Sequence, residues 1–160
     1  MNEKSVFEAD CSHGNTDVFH NRINIYQSRT SILPFYEKVK IYDINKKLML
    51  QVVVTGFFGI KRKIELKTNN LDRNLLFNVN KRKIELRVDD KNIVFKQYCR
   101  AYKFEGDFYV NDVFVGSICN KLSFFTSRLI YDFVREDEMN YFCIILSLIL
   151  LRNEFNSGGD

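Results

Sequence analysis

Tryptophan is missing from this chain, proline occurs once and histidine twice, against 15 Phe and 8 Tyr. A single proline leaves most turns to Asn and Asp, and Asn-Lys, Asn-Asn, Asp-Asp and Asn-Asp pairs are spread along the sequence. The two histidines, His13 and His20, both lie near the start, so no histidine further along the chain can act as a base for a serine or cysteine nucleophile. No nucleophile elbow, Walker loop or dinucleotide fingerprint occurs, and the Gly158-Gly159 pair falls in the last few residues. The four cysteines, Cys11, Cys99, Cys119 and Cys143, include no Cys-x-x-Cys pair. The opening "MNEKSVFEADCSH" has no apolar core of a signal peptide. A reduced, cytoplasmic chain without a disulfide framework is therefore expected, with most cysteines acting as small buried hydrophobes.

What is present suits a single globular domain. The 160 residues are 46% apolar and 28% charged, with a net charge of +4. That charge permits phosphate-rich partners but falls short of a dedicated nucleic-acid arm. Between residues 17 and 155 the pattern is mostly short apolar-alternating runs broken by polar turns. They include "VFHNRINIYQ", "YEKVKIYDI", "KLMLQVVVTGFF", "KNIVFKQYCRAYKF" and "RLIYDFVRED". The count is about eleven or twelve strands, which fits an antiparallel meander, sandwich or barrel. In "YEKVKIYDI", Val39, Ile41 and Glu37 share one face, and Lys38, Lys40 and Tyr42 the other. Residues 1–16 lack periodicity and read as a flexible lead-in whose removal should leave stability nearly unchanged. Residues 156–160, "NSGGD", read as a disordered tail.

The hexamer "KRKIEL" occurs twice, at 61–66 and 81–86. On a strand its Ile and Leu face inward, which leaves Lys61, Lys63 and Lys67, and then Lys81, Lys83 and Arg87, outward beside Glu65 and Glu85. The 20-residue offset places the copies as equivalent strands of neighbouring hairpins. The run Met139–Leu151 has only Asn140 and Ser147 as polar residues. As a helix it spans about 20 Å, short of a bilayer core of about 30 Å. A helix apolar nearly all round must be buried on nearly every side. The alternative is a central strand, "FCIILSLILL", buried on both faces. Glu136, Asp137 and Glu138 precede the run, which suits a helix N-terminus, and Arg152 follows it.

Many short strands followed by one wholly apolar helix resemble the tubby C-terminal-like superfamily. It comprises tubby proteins, plant LURP-one-related proteins and phospholipid scramblases. The similarity covers roughly residues 18–155. "YEKVKIYDINKKLMLQV" is similar to the family's early strand–turn–strand, although Asn45-Lys46 stands where relatives commonly carry a glycine. "FEGDFYVNDVFVGSICNKL" is similar to its Gly-Asp strand pair, and "RLIYDFVREDEMNYFCIILSLIL" to its last strand, acidic turn and buried helix. The resemblance implies a closed antiparallel barrel of about twelve strands around a central C-terminal helix, with the barrel domain at 17–155.

For function, the resemblance implies a non-enzymatic binding or scaffold module. In tubby proteins, basic residues on the barrel wall bind phosphoinositide headgroups. The outward set Lys61, Lys63, Lys67, Lys81, Lys83 and Arg87 is similar in kind and is the candidate site for anionic phospholipid headgroups. A membrane surface or a protein is the expected partner of a monomer, with no cofactor. The alternatives are a structural or protein-interaction domain without a small ligand, and a scramblase-like lipid mover whose terminal segment leaves the barrel. Alternating Lys and Glu on a strand also serves solubility and edge protection. Cys11, His13 and His20 sketch a metal site but lack paired ligand spacing. Asp89-Asp90 reads as a turn, and no loop carries enough oxygen ligands for calcium. Tyr98, Tyr102 and Phe104 beside Lys96, Arg100 and Lys103 could stack bases. Aromatics at strand spacing are more often core, and no specific nucleic acid is expected.

Overall fold

A computed structural model of the chain describes residues 4–12, 14–33, 36–55, 63–80, 83–100, 103–122 and 127–151. Twelve antiparallel strands and one helix follow one another: β1 Ser5–Ser12, β2 Asn15–His20, β3 Ile23–Leu33, β4 Tyr36–Asp43, β5 Leu48–Thr55, β6 Lys63–Asn69, β7 Leu75–Asn80, β8 Lys83–Val88, β9 Lys91–Arg100, β10 Lys103–Val110, β11 Val113–Leu122, β12 Ser127–Phe133 and α1 Glu138–Leu150. The sheet order is β6-β5-β4-β3-β2-β1-β12-β11-β10-β9-β8-β7. Every strand thus pairs with its chain neighbours except at two places. β1 pairs with β12, which joins the two halves, and β6 and β7 touch at a seam where the barrel is nearly closed.

Local chemistry explains the meander. Asn21-Arg22 and Asn111-Asp112 both carry positive φ at each residue (52° and 66°, 49° and 64°). These are two-residue hairpin turns whose twist matches that of the strands. The first was not legible as a turn, because Arg22 is not a turn former, and "VFHNRINIYQ" divides there into β2 and β3. Lys46 has φ 60°, the left-handed conformation that glycine adopts most readily. Asp43 Oδ1 supports the turn by accepting from the Asn45 and Lys47 amides at 2.9 and 2.8 Å.

The period-2 pattern puts Val39 and Ile41, Leu50, Val52 and Val54, Leu86 and Val88, and Leu129, Tyr131 and Phe133 inside, all buried. A barrel of eight strands can be filled by its own side chains, and a twelve-stranded one is wider. A helix about 10–12 Å across fills the difference. Of the 13 residues of α1, 11 are buried. The two polar residues of this helix, Asn140 and Ser147, are both hydrogen-bonded. Asn140 Nδ2 donates to the Arg135 carbonyl (2.8 Å). Ser147 Oγ donates to the Ile144 carbonyl (2.7 Å), so the Tyr131 hydroxyl, 2.8 Å away, is the donor to Ser147. Burial, and behind it Asp137, pushes the Cys143 thiol well above its ordinary range. Asp137 caps the helix by accepting from the Met139 amide at 2.9 Å.

The lead-in expected over 1–16 differs. Ser5–Ser12 forms β1, and Asn15 opens β2. β1 pairs with β12 on one side and β2 on the other, and Phe7 and Ala9 are fully buried. The outward Glu8 and Asp10 obscured the strand, since acidic residues are poor strand formers. The tail expected at 156–160 lies outside the described residues.

Candidate functional site: a basic outer wall

The residues expected to bind anions divide between two hairpins. Lys63 and Lys67 stand exposed on β6. Arg87 stands exposed on β8, where its Nε donates to the Asp89 carbonyl at 3.2 Å. Lys83 opens β8, and Lys61 and Lys81 lie outside the described residues. The two copies of the repeat are the second strands of neighbouring hairpins, β5–β6 and β7–β8, as their spacing suggested. The barrel seam runs between those hairpins, so the copies do not form one continuous hydrogen-bonded face.

A second set of basic residues joins Lys63 and Lys67 instead. Buried Val39 and Ile41 turn Lys38 and Lys40 of β4 outward, and buried Ser28 does the same for Arg29 of β3. Registers link them: Arg29 lies opposite Lys40, Lys38 opposite Val53, and Val53 opposite Glu65. Arg29, Lys38, Lys40, Lys63 and Lys67 therefore share the outer face of four consecutive strands, β3 to β6. The one carboxylate among the described outward positions of that face is Glu65. Its oxygens receive Lys63 Nζ at 2.6 Å and Lys67 Nζ at 2.7 Å. These hydrogen bonds, Lys63 first, hold its carboxyl down at about 2. Lys38 and Lys40 make no ion pair among the described residues. The Arg29 guanidinium lies 5.5 Å from the Tyr42 ring centre. A shallow, open depression of about 350 Å³ lies on this face, lined by Tyr36, Lys38, Gln51, Val53, Thr55, Glu65 and Lys67.

The face formed by β1 and β12, separated from β3 by one strand, is balanced differently. Lys4 meets Asp132 at 2.7 Å, and Arg128 meets Asp10 at 3.0 Å and Glu8 at 3.5 Å. Both of these cations are committed to carboxylates.

The other candidates separate. Cys11 and His20 fall at opposite ends of the β1–β2 hairpin, since Cys11 pairs with Thr16 and His20 with Phe7. His20 stacks on Phe7 with ring centres 4.2 Å apart, and His13 lies outside the described residues. No group of three His, Cys, Asp or Glu is arranged for a metal among the described residues. Asp89 turns β8 into β9 with φ 53° and accepts from Arg73 and the Asn74 amide, and Glu138 takes the other arm of Arg73 at 2.6 Å. Phe104 is buried against Phe95 while Tyr98 is exposed with its hydroxyl on Asp107, so these two aromatics offer no common stacking face. Tyr102 lies outside the described residues.

Among the described residues, no helix is long and apolar enough to cross a membrane. In comparisons with known proteins, no family model, no curated protein and no solved structure matches the chain.

Proposed function

We propose that the protein is a non-enzymatic, tubby-like binding module whose β3–β6 wall takes anionic phospholipid headgroups at the cytoplasmic face of a membrane. The observation that carries this reading is the surplus on that wall of Arg29, Lys38, Lys40, Lys63 and Lys67 over Glu65, the one carboxylate among its described outward positions. Arg29 and Lys40 oppose one another directly across the β3–β4 ladder. Like charges in that position destabilise a sheet, and an anionic ligand relieves the repulsion. A dedicated solubility device has no need of such a pair. Each basic residue near an anionic surface contributes about 1 kcal/mol, so a net four give weak, reversible, salt-sensitive attachment. The scramblase-like alternative requires α1 to leave the barrel and expose 11 buried residues, and it finds no support in that packing.

Co-sedimentation with phosphatidylserine-containing vesicles at low and high salt tests the reading. The chain should pellet with anionic vesicles at low salt, less at high salt, and not with neutral vesicles. The double variant Lys38→Glu, Lys40→Glu should abolish pelleting. Glu65→Gln, which removes the one opposing charge, should tighten it about fivefold. Failure of the native chain to bind anionic vesicles at low salt sinks the proposal and favours a protein-interaction domain.

A further inference from the structure

The exposed apolar residues at the far end of this wall deepen that reading. Leu33 and Tyr36 form the last register pair of the β3–β4 hairpin, and Ile32 precedes them opposite Glu37. Ile32 occupies an inward-facing position yet is 52% exposed, so the hairpin projects beyond the filled interior of the barrel. Leu33 is 40% and Tyr36 38% exposed. Three large apolar side chains thus crown one hairpin end.

Basic residues lie beside and behind this crown. Tyr36 pairs with Thr55, and Thr55 with Lys63, so Lys63 stands in the same row as Tyr36. Lys38 is two residues further along β4, or about 7 Å at strand rise. We infer that Ile32, Leu33 and Tyr36 dip into the headgroup–acyl boundary of an anionic bilayer while Lys63 and Lys38 meet its phosphates, so that the barrel docks by this rim. The inference rests on the headgroup reading of the wall and adds the insertion and the orientation.

The depths agree. Interfacial apolar groups sit about 5–10 Å into that boundary, which is the offset separating the crown from Lys38. Tyrosine suits the position, with its ring among acyl chains and its hydroxyl at the headgroups. A soluble polyphosphate would satisfy the lysines and leave the crown in water. A bilayer satisfies both. The apolar rim at the other end, Val113, Phe114 and Val134, is also exposed, but its outward neighbours are Tyr109 beneath Lys96 and the carboxylate Asp132, which is paired with Lys4, rather than a face with a surplus of basic residues. It serves as an internal control.

The absence of native tryptophan makes the test direct. Leu33→Trp and Phe114→Trp each introduce one fluorophore at an exposed site. With phosphatidylserine vesicles brominated in their acyl chains, Leu33→Trp should shift its emission to the blue and lose intensity, and Phe114→Trp should do neither. Leu33→Asp should weaken vesicle binding of the native chain about tenfold. Binding without a blue shift or quenching at position 33, or undiminished binding of Leu33→Asp, overturns the insertion and leaves the wall reading standing. If the native chain does not pellet with these vesicles, both fall.

Discussion

Phe7→Ala is the sharpest test of the fold, because Phe7 lies in the stretch whose sequence shows no periodicity. Its ring is fully buried. It stacks on His20 at 4.2 Å and meets the edges of Phe133 and Tyr141, both at 5.7 Å. Those partners belong to β2, β12 and α1, so one ring ties together the two strands that flank β1 and the helix that fills the barrel. Truncating a buried phenylalanine costs about 3–5 kcal/mol through lost transfer energy and the cavity left behind. Domains of this kind hold about 5–15 kcal/mol in total. At about 2–4 °C per kcal/mol for a chain of this size, the melting temperature should fall by about 10 °C. Urea denaturation followed by far-UV circular dichroism measures the loss. Val6→Ala, one residue away and 43% exposed on the outer face, is the matched control and should cost under about 1 kcal/mol. A loss below about 1 kcal/mol for Phe7→Ala, or a truncation of residues 1–16 that melts like the full chain, would refute the role of β1 in joining the two halves of the sheet.

Three further outcomes follow from the interior. Ser147→Ala should destabilise more than Tyr131→Phe, about 1–3 against 0.5–1.5 kcal/mol. The first strands the buried Tyr131 hydroxyl, and the second leaves Ser147 still donating to the Ile144 carbonyl; equal losses in chemical denaturation would contradict the donor assignment. Asp137→Ala should cost about 1 kcal/mol by removing the cap on the Met139 amide, and Asp137→Asn should recover most of it. Brief alkylation of the native chain should label the exposed Cys119, whereas Cys143, buried with its thiol held protonated, should label only on unfolding; peptide mass spectrometry reads both.

How much of this was legible depends on the range of the interaction responsible. The helix was legible because its length and all-round apolarity are local properties, and the structure places it within one residue of the expected start. Most strands were legible because period-2 alternation is local too. β1 was not, since small inward Ser5 and Ala9 and acidic outward Glu8 and Asp10 blunt its contrast, and one of its two pairing partners, β12, lies more than 100 residues away. For the site, alternation turned Lys38 and Lys40 outward, but their joining Lys63 and Lys67 depends on the registers β4–β5 and β5–β6. The repeated hexamer drew Arg87 into the group by sequence likeness, and likeness says nothing about which side of a seam a strand occupies.

The filled interior also determines where contact with a partner can be tested cleanly. With α1 packed against the inward side chains of the sheet, ligand chemistry in this barrel belongs to its outer wall and rims. Substitutions of Lys38 and Lys40 leave the packing untouched, because these two lean on no carboxylate among the described residues. Reversing Lys40 goes further: it places an acid opposite Arg29, replacing a repulsive cross-strand pair by an attractive one. Lys40→Glu should therefore hold or slightly raise the melting temperature while it weakens binding to anionic vesicles. A purely structural role for the wall predicts no change in binding. Opposite signs for stability and binding in one variant separate a surface kept for an anion from a surface kept for solubility.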